Sequence, residues 1–439
     1  MYDDLFQKSK AVLAKNDRGG WTVPAGDLYP HQWLWDSCFI SIGLRHYDVV
    51  RAQTELRSLL RGQWQNGMFP DIIFSDARRK GLDLDELLWD SSVNQHAPNH
   101  VDTSGVSQPP MLAEAVWRVG EKLDETARLE WFREMLPPII KFHQWLYNER
   151  DPRGEGLITV IHPYESGLDD SPAWLDELEA QGAPRWINIG EKLGLGIIVN
   201  LIRRDTRHAD SSQRMSNMEA LSFFVALRRL RKQKYDSKLI LANPYLAIQD
   251  LVFNCILIRA NQRLAEIAKA IGEELPGGLA KQAKRHESAI EKLWDEEAGQ
   301  YFSRSFSRKE LIKEPSVATF MPLYAGCISP AHAKQLVNLL NDKMRYAPTW
   351  PIPSVPLDSP YFNDSRYWQG PTWINMNWLI IDGLERYGFK DEAKDLRDKT
   401  LRLVEQNGCS EYYNPLTGAP NGAKNFSWTA ALSIDLLKS

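Results

Sequence analysis

Apolar residues recur at helical spacing over much of the chain. In segment 111–123, counted from Leu112, they stand at positions i, i+3, i+4 and i+7, the pattern of an amphipathic helix. Five further stretches follow broadly the same pattern: 217–232, 244–271, 279–294, 330–341 and 374–387. Candidate strands are short and few, with 157–161 as an example. The pattern predicts a protein dominated by long α-helices.

The segments between the helices are loops rich in Gly, Pro, Asp and Asn, such as 151–156, 350–356 and 414–418. The helix–loop–helix rhythm carries no repeated sequence signature, which disfavours a solenoid, and no low-complexity linker divides the chain. We therefore expect residues 1–439 to form a single all-α domain. A closed barrel of alternating inner and outer helices suits this rhythm, with the long loops forming a site at one end.

Composition excludes several classes of function. The net charge is −4 and no Lys/Arg stripe is present, so nucleic-acid binding is not expected. Neither a secretion signal nor a run of about 18 apolar residues is present, which predicts a cytoplasmic protein without a membrane partner. The four cysteines lack C-x-x-C spacing and the nine histidines lack H-E-x-x-H, so we predict no metal and no cofactor. The sequence makes no prediction of oligomeric state.

Two acidic segments far apart in the chain are embedded among aromatic and small residues. The first, 164–174, carries Glu165, Asp169 and Asp170 in one turn-rich loop, and the second carries Glu411 before two tyrosines. Hydrolysis of a glycosidic bond needs two carboxyl groups on opposite faces of the sugar. Mutual repulsion and an apolar surrounding would raise the pKa of at least one acid in the first segment, as a general acid requires. The alternative is a solvated acidic loop.

Segment 28–37 offers a second group of candidates. A helix is expected at about 37–44, so Asp36 stands where an N-cap would. Alternatively, Asp36 binds two adjacent sugar hydroxyls beside Trp35. The chain has 16 tryptophans, several of them clustered with polar residues. Such clusters suit the C–H faces of a sugar, although filling a large core is the competing explanation.

Six motifs in order support a family resemblance: YPHQWLWDS, SQPP, HPYESGLDDSP, RRDTRHAD, YWQGPTW and SEYYNPLTG. They resemble glycoside hydrolase family 63, in particular the compact bacterial glucosylglycerate and mannosylglycerate hydrolases, and the resemblance spans roughly Tyr29 to Trp428. The ESG-x-D segment is also similar to trehalases of the same clan.

The resemblance implies an (α/α)6 barrel and an inverting α-glycosidase that cleaves 2-O-α-glucosylglycerate or 2-O-α-mannosylglycerate to sugar and glycerate. By motif position Asp169 resembles the general acid and Glu411 the general base. Arg207 and Tyr367 stand where relatives grip the glycerate carboxylate, and Arg214 is a rival for that role. The remaining residues expected to bind substrate are Tyr29, Trp35, Asp36, Gln108, Tyr164, Gly167, Trp368 and Trp373.

One departure from the family pattern is Tyr164, because relatives usually carry Trp before ESG; the change could alter the preference for glucose or mannose. Alternative substrates are trehalose-like or oligosaccharide α-glucosides. A different class, the sugar epimerases, uses a similar helical barrel with histidine-centred proton transfer. That alternative would require histidines to gather in the site, and the candidates are His31, His100, His162 and His208. A sugar-binding protein without catalysis is disfavoured because both acids are present.

Overall fold

The computed structural model describes residues 3–75, 88–182 and 210–438. Its helices, numbered in chain order, are α1 (Asp3–Asn16), α2 (Leu34–Leu44), α3 (Val49–Leu59), α4 (Leu112–Gly120), α5 (Glu125–Arg150), α6 (Pro163–Ser166), α7 (Pro172–Gln181), α8 (Asn217–Lys232), α9 (Ser237–Ala242), α10 (Leu251–Ala270), α11 (Gly277–Ala289), α12 (Met321–Ala325), α13 (Pro330–Leu340), α14 (Ile374–Arg386), α15 (Lys390–Asn407) and α16 (Ser427–Lys438).

The described strands form four two-stranded antiparallel sheets. They are β1 (Gln32–Trp33) with β2 (Ile72–Ile73), β3 (Ile248–Gln249) with β6 (Arg304–Ser305), β4 (Trp294–Asp295) with β5 (Gln300–Tyr301), and β7 (Ser410–Tyr413) with β8 (Pro420–Lys424). All are short, so the helices determine the architecture.

Six helices form a closed inner ring. Each of α2, α4, α10, α12, α14 and α16 packs against the next, and α16 returns to α2. Along the chain they alternate with α1, α3, α5, α11, α13 and α15, which form the outer set. The arrangement is the helical barrel that the sequence predicts.

Burial explains why the helices separate into two sets. All residues of α2 are buried, whereas the outer helix α15 buries one apolar stripe and exposes the opposite, charged face. Inner helices also approach closely at small residues. A Cβ on Gly43 of α2 would lie 2.5 Å from backbone atoms of Ala431 in α16, and one on Gly383 would lie 2.7 Å from the backbone of α12. Larger side chains would force the ring open.

The helical prediction for 217–232 is confirmed with the same bounds, and the others differ mainly at their ends. The helix expected from residue 244 begins only at Leu251, because residues 248–249 pair as β3 and the Asp250 side chain caps α10 at the backbone N–H of Phe253. The strand expected at 157–161 is wrong, since only an isolated bridge joins Val160 to Ile248. Among the helices of the described ranges, none is long and apolar enough to cross a membrane.

The barrel also positions a site. Eight of the predicted site residues lie before or in the first turn of α2, α4, α14 and α16, namely Tyr29, Trp35, Asp36, Gln108, Tyr367, Trp368, Trp373 and Glu411, whereas Tyr164, Gly167 and Asp169 lie in or just after α6 and Arg214 precedes α8. Because the segments with these eight residues lead into the N-terminal ends of inner helices, their side chains converge at one end of the ring.

Candidate active site

A cavity of about 520 Å³ opens at this end of the barrel, within the size range of small-ligand sites. Its walls are mostly apolar and aromatic, with a few polar groups. Eleven predicted site residues line it: Tyr29, Trp35, Asp36, Gln108, Tyr164, Gly167, Asp169, Arg214, Tyr367, Trp368 and Glu411. Segments more than 380 residues apart in sequence thus meet in one cavity, as the contact between Tyr29 and Glu411 illustrates.

Glu411 is buried and accepts hydrogen bonds from four donors. Arg214 donates two of them, at 3.2 Å to Oε1 and 2.6 Å to Oε2. The Tyr29 hydroxyl donates to Oε1 at 2.7 Å, and the Ala423 backbone N–H donates to Oε2 at 2.8 Å. A carboxylate offers about four lone-pair sites, so its hydrogen-bonding capacity is filled in this arrangement.

The β7–β8 hairpin explains the orientation of Glu411. Its register is irregular between Ser410 and Tyr412, and such irregularities in a ladder re-aim the intervening side chain. Gly422 on the facing strand has φ +68°, and a Cβ there would lie 2.4 Å from Oε2 of Glu411. Glycine therefore allows the strand to approach closely enough for the Ala423 N–H to reach the carboxylate.

Asp169 lies in a different environment. The surrounding protein desolvates its carboxyl group, although part of the side chain remains open to the cavity, and Asp170 lies nearby. Burial, with a further contribution from the negative charge of Asp170, raises the pKa of Asp169 to about 8. The Tyr367 hydroxyl lies 3.4 Å from Oδ2 of this carboxyl group. Asp169 is therefore protonated at neutral pH and faces the cavity.

The two neighbouring acids have structural contacts instead. Glu165 is buried and receives two hydrogen bonds from Arg150, both at 2.8 Å, together with backbone donors from Ser107 and Ile161. Asp170 accepts the Trp368 backbone N–H at 3.0 Å, and burial raises its pKa to about 7. Of the three acids in this loop, only Asp169 lines the cavity.

Trp35 forms one wall, and its position depends on two residues. Its backbone N–H donates to Oε1 of Gln108 at 3.1 Å, which connects the first motif to the second. Gly167 has φ +75°, and a Cβ there would lie 2.4 Å from the Trp35 ring. Glycine is therefore required at position 167 for two reasons: the backbone there is left-handed, and the Trp35 ring leaves no room for a Cβ.

Asp36 is not an N-cap. Helix α2 begins at Leu34, its N-cap residue is Trp33, and no side chain makes a capping hydrogen bond there. Asp36 instead lies buried in the first turn and lines the cavity, where burial raises its pKa well above the usual range. Of the two alternatives for Asp36, capping is thus wrong, and its position on the cavity agrees with the other, contact with a ligand.

A stack of aromatic rings supports the opposite wall. Trp368 lines the cavity, and Trp373 stacks on it with ring centroids 3.8 Å apart. Trp373 is absent from the lining residues; its indole N–H donates to the Tyr367 carbonyl at 3.1 Å. Direct contact of Trp373 with a ligand is therefore not seen in this structure, and its ring stacks on Trp368, which does line the cavity.

The structure describes only one of the two arginines that are candidates for binding the substrate carboxylate. Both terminal nitrogens of Arg214 contact Glu411, and one of them also donates to the Tyr29 hydroxyl at 2.9 Å. Glu411 thus occupies the two terminal nitrogens of Arg214, while its buried Nε has no hydrogen-bond partner among the described residues. Arg207 lies outside the described residues.

Histidines are not gathered in the described part of the cavity. His31 lines it, but His162 is buried behind Tyr164 with a pKa lowered to about 4 by desolvation, and His100 is exposed. His208 lies outside the described residues. Over the same ranges, no three His, Cys, Asp or Glu side chains are grouped so as to hold a metal ion. The residues described here suit carboxyl-based rather than histidine-based chemistry.

Sequence reasoning missed part of the wall. Helix α8 contributes Leu221, Phe223, Phe224 and Leu227, and the start of α16 contributes Phe426, just before the helix, and Trp428 in its first turn. The apolar face of α8 has ordinary helical spacing, so nothing distinguishes it from a face packed in a core. The aromatic pair at the start of α16 is similar to the other Trp-containing clusters and could have been included on that ground.

Comparisons with known proteins place the chain in a family. Residues 29–429 match the family model described as a mannosylglycerate hydrolase MGH1-like glycoside hydrolase domain. The chain is 37% identical to the mannosylglycerate hydrolase of Thermus thermophilus, over 97% of this chain and 99% of that protein. It is 32% identical to the glucosylglycerate hydrolase of Mycolicibacterium hassiacum, over 99% and 97% of the respective chains.

A solved structure supports the same assignment. The crystal structure of a family 63 mannosylglycerate hydrolase from Thermus thermophilus, in complex with Tris and D-glycerate, superposes with a TM-score of 0.88. The two sequences are 36% identical, and the match covers 98% of this chain and 99% of the other. This chain is a glycoside hydrolase, and it belongs to family 63, among the mannosylglycerate hydrolase MGH1-like domains.

Proposed function

We propose that the protein hydrolyses 2-O-α-mannosylglycerate or 2-O-α-glucosylglycerate to the free sugar and glycerate, with inversion at the anomeric carbon. The observation that carries the proposal is the pair of unlike carboxyl groups on one cavity. Asp169 is desolvated and protonated, whereas Glu411 is held by a bidentate arginine. Two carboxyl groups placed in contrasting environments suit the roles of acid and base.

In the proposed reaction, Asp169 donates its proton to the glycosidic oxygen while Glu411 takes a proton from the water that attacks the anomeric carbon. Inversion requires room for that water, so we expect the carboxyl groups to stand about 6.5–9.5 Å apart. The attacking water must displace one of the four donors on Glu411. Tyr29 is the uncharged side-chain donor and lines the cavity, so it is the one we expect to give way.

The glycerate half of the substrate carries the negative charge. Among the described lining residues the only Lys or Arg is Arg214, and its terminal nitrogens are already engaged with Glu411. We therefore assign the substrate carboxylate to Arg207, in line with its motif position. Replacement of Arg207 by Lys should raise KM for the glycerate glycosides much more than KM for an uncharged α-glycoside, because a planar fork is lost.

Proton NMR tests the reaction directly. Purified protein is mixed with both glycerate glycosides, and the anomeric signals of the released sugar are followed from the first minutes. We expect the β-anomer to appear first, and the relative rates identify the preferred sugar. Initial release of the α-anomer would refute inversion, and no hydrolysis of either compound would refute the substrate assignment. Asp169→Asn and Glu411→Gln serve as controls and should lose several orders of magnitude in turnover with the fold intact.

A further inference from the structure

Gln213 contacts both strands of the β7–β8 hairpin but is not among the residues that line the cavity. Its side-chain Nε2 donates to Oδ1 of Asn421 at 3.1 Å, and its Oε1 accepts the backbone N–H of Gly422 at 3.1 Å. Its backbone carbonyl accepts the hydroxyl of Tyr412 and the backbone N–H of Tyr367. One residue therefore joins the segment before α8 to β7, to β8 and to the loop that carries Tyr367.

The side chain of Gln213 contacts the hairpin at a β-bulge. The register shifts after Ser410, and Gly422 and Ala423 of β8 both lie opposite Glu411 of β7. A bulge disrupts the ladder locally, and N–H groups that leave the ladder need another partner. The N–H of Ala423 donates to Glu411. The N–H of Gly422 donates to Gln213. Two side chains therefore take the place of ladder partners in this bulge.

A side-chain amide at position 213 suits both contacts. The N–H of Gly422 is a donor and needs the amide oxygen, which turns the amide nitrogen towards Oδ1 of Asn421. Asn421 is itself buried, and its Nδ2 has no hydrogen-bond partner among the described residues. The side chain of Asn421 therefore supports the bulge through its contact with Gln213.

Both segments that Gln213 joins also hold the proposed base. Arg214 follows Gln213 directly and donates to both carboxylate oxygens of Glu411. Ala423 follows Gly422 and donates its backbone N–H to Oε2 of the same carboxylate at 2.8 Å. A shift of β8 by about 1 Å would break that hydrogen bond, and a misplacement of this size in a catalytic group costs roughly 100-fold in rate.

We propose that Gln213 is a positioning residue for the reaction, which holds the bulge of β8 so that Glu411 keeps its orientation towards the attacking water. The inference rests on the proposed function, in which Glu411 is the base. Because Gln213 does not line the cavity, its loss should slow the chemical step and leave substrate binding unchanged.

Gln213→Met tests the side-chain contacts, because methionine has a similar length and neither donates nor accepts as an amide does. The backbone carbonyl can still accept from Tyr412 and Tyr367, whereas the N–H of Gly422 loses its partner. We expect kcat and kcat/KM for the glycerate glycoside to fall by the same factor, about 10- to 100-fold, since the orientation of the base matters in the transition state. A loss that appears mainly in KM would overturn the proposal.

A double-mutant cycle shows whether the loss comes from this amide. Asn421→Ala removes Oδ1 but leaves the contact between Gln213 and Gly422, so its loss in kcat should be smaller than that of Gln213→Met. The double variant should lose no more than Gln213→Met, because Asn421 acts through Gln213. Losses that multiply in the double variant would indicate two independent structural effects and would overturn the proposal.

Gln63→Met is the matched control for stability. The side-chain Nε2 of Gln63 donates to the carbonyls of Gly67 and Pro138, and Gln63 is likewise not among the residues that line the cavity. Each of the two methionine variants removes two hydrogen bonds and should lower the denaturation midpoint. Only Gln213→Met should lower kcat, and an equal loss of kcat in Gln63→Met would refute the positioning role.

An α-glycosyl fluoride identifies the catalytic group through which Gln213 acts. Fluoride leaves with little need for protonation, so its hydrolysis depends on Glu411 rather than on Asp169. Gln213→Met should therefore lose the same factor in kcat on α-mannosyl or α-glucosyl fluoride as on the glycerate glycoside. A much smaller loss on the fluoride would mean that Gln213 acts on the acid, by way of the loop that carries Tyr367, and would overturn the proposal.

The proposed function and the positioning role fail in different ways. A wild type that hydrolyses neither glycerate glycoside refutes the substrate assignment, while the fluoride still compares Gln213→Met with wild type. Wild-type turnover of the fluoride by Glu411→Gln would refute the base assignment and the positioning role with it. A large loss in Glu411→Gln together with normal kcat in Gln213→Met would refute the positioning role alone.

Discussion

Replacement of Gly422 by alanine should remove activity through a single methyl group. The new Cβ would lie 2.4 Å from Oε2 of Glu411 and 2.6 Å from a ring carbon of Tyr412, where contacts below 3.0 Å force a shift. The carboxylate must then withdraw from the Ala423 N–H at 2.8 Å and from Arg214 at 2.6 Å. A displacement of about 1 Å in a catalytic group costs roughly 100-fold in rate, which equals about 2.7 kcal/mol.

The substitution also strains the backbone, because a residue with a Cβ at φ +68° should destabilise the folded protein by about 1–2 kcal/mol. Gly299→Ala is the matched control, because Gly299 lies between β4 and β5 with φ +63° and nothing within 4 Å of its Cβ. Both variants should lower the denaturation midpoint, and only Gly422→Ala should lower kcat/KM for the glycerate glycoside about 100-fold. Near-wild-type activity in Gly422→Ala, or an equal loss in Gly299→Ala, would refute the steric argument.

Three further predictions concern buried charge. The pKa of Asp169 is about 8 and the reaction requires its protonated form, so kcat/KM should fall tenfold per pH unit above about pH 8. A fall in kcat/KM with rising pH that already begins below pH 6 would contradict its role as the acid. Arg150→Met should lower the free energy of unfolding, measured in urea, by about 3–5 kcal/mol, because Glu165 is left as a buried charge without its ion-pair partner. The double variant Arg150→Met/Glu165→Gln should recover part of that loss, and no recovery would contradict the role of the ion pair. Burial raises the pKa of Asp71, whose carboxyl oxygens have no hydrogen-bond partner among the described residues, so the folded state holds its proton above pH 4. Asp71→Asn should therefore gain stability relative to wild type as pH rises, by at most about 1.4 kcal/mol per pH unit, and a pH-independent difference would contradict this.

The sequence predicted the barrel because its helices carry a strong period, but it could not predict the contacts that set the chemistry. Motif position paired Asp169 with Glu411, and Arg214 was considered a rival of Arg207 for the substrate carboxylate. In the structure Arg214 binds Glu411 instead, a contact that depends on the β7–β8 hairpin and on the segment before α8, which are about 200 residues apart. For Asp36 the sequence left capping and sugar binding open, because an N-cap and the first turn of a helix differ by only a few residues. The stacking of Trp373 on Trp368 is likewise a contact that sequence spacing does not encode.

The contrast between the two carboxyl groups follows from how the barrel delivers them. Asp169 comes from a loop that must turn tightly between α6 and α7, so its neighbours are another acid and aromatic rings, and burial keeps its proton on. Glu411 comes from a hairpin whose facing strand supplies a backbone donor, and Arg214 provides the opposing charge. The environment therefore decides whether a carboxyl group serves as acid or as base, because desolvation favours the neutral form and fixed hydrogen-bond donors favour the charged form. Glu411→Gln and Arg214→Met should therefore have unlike effects. The first removes the base, whereas the second keeps the carboxylate and its hydrogen bonds from Tyr29 and Ala423 but removes the two from Arg214. Arg214→Met should therefore retain more activity on the glycerate glycoside than Glu411→Gln, and equal activity in the two variants would contradict this account.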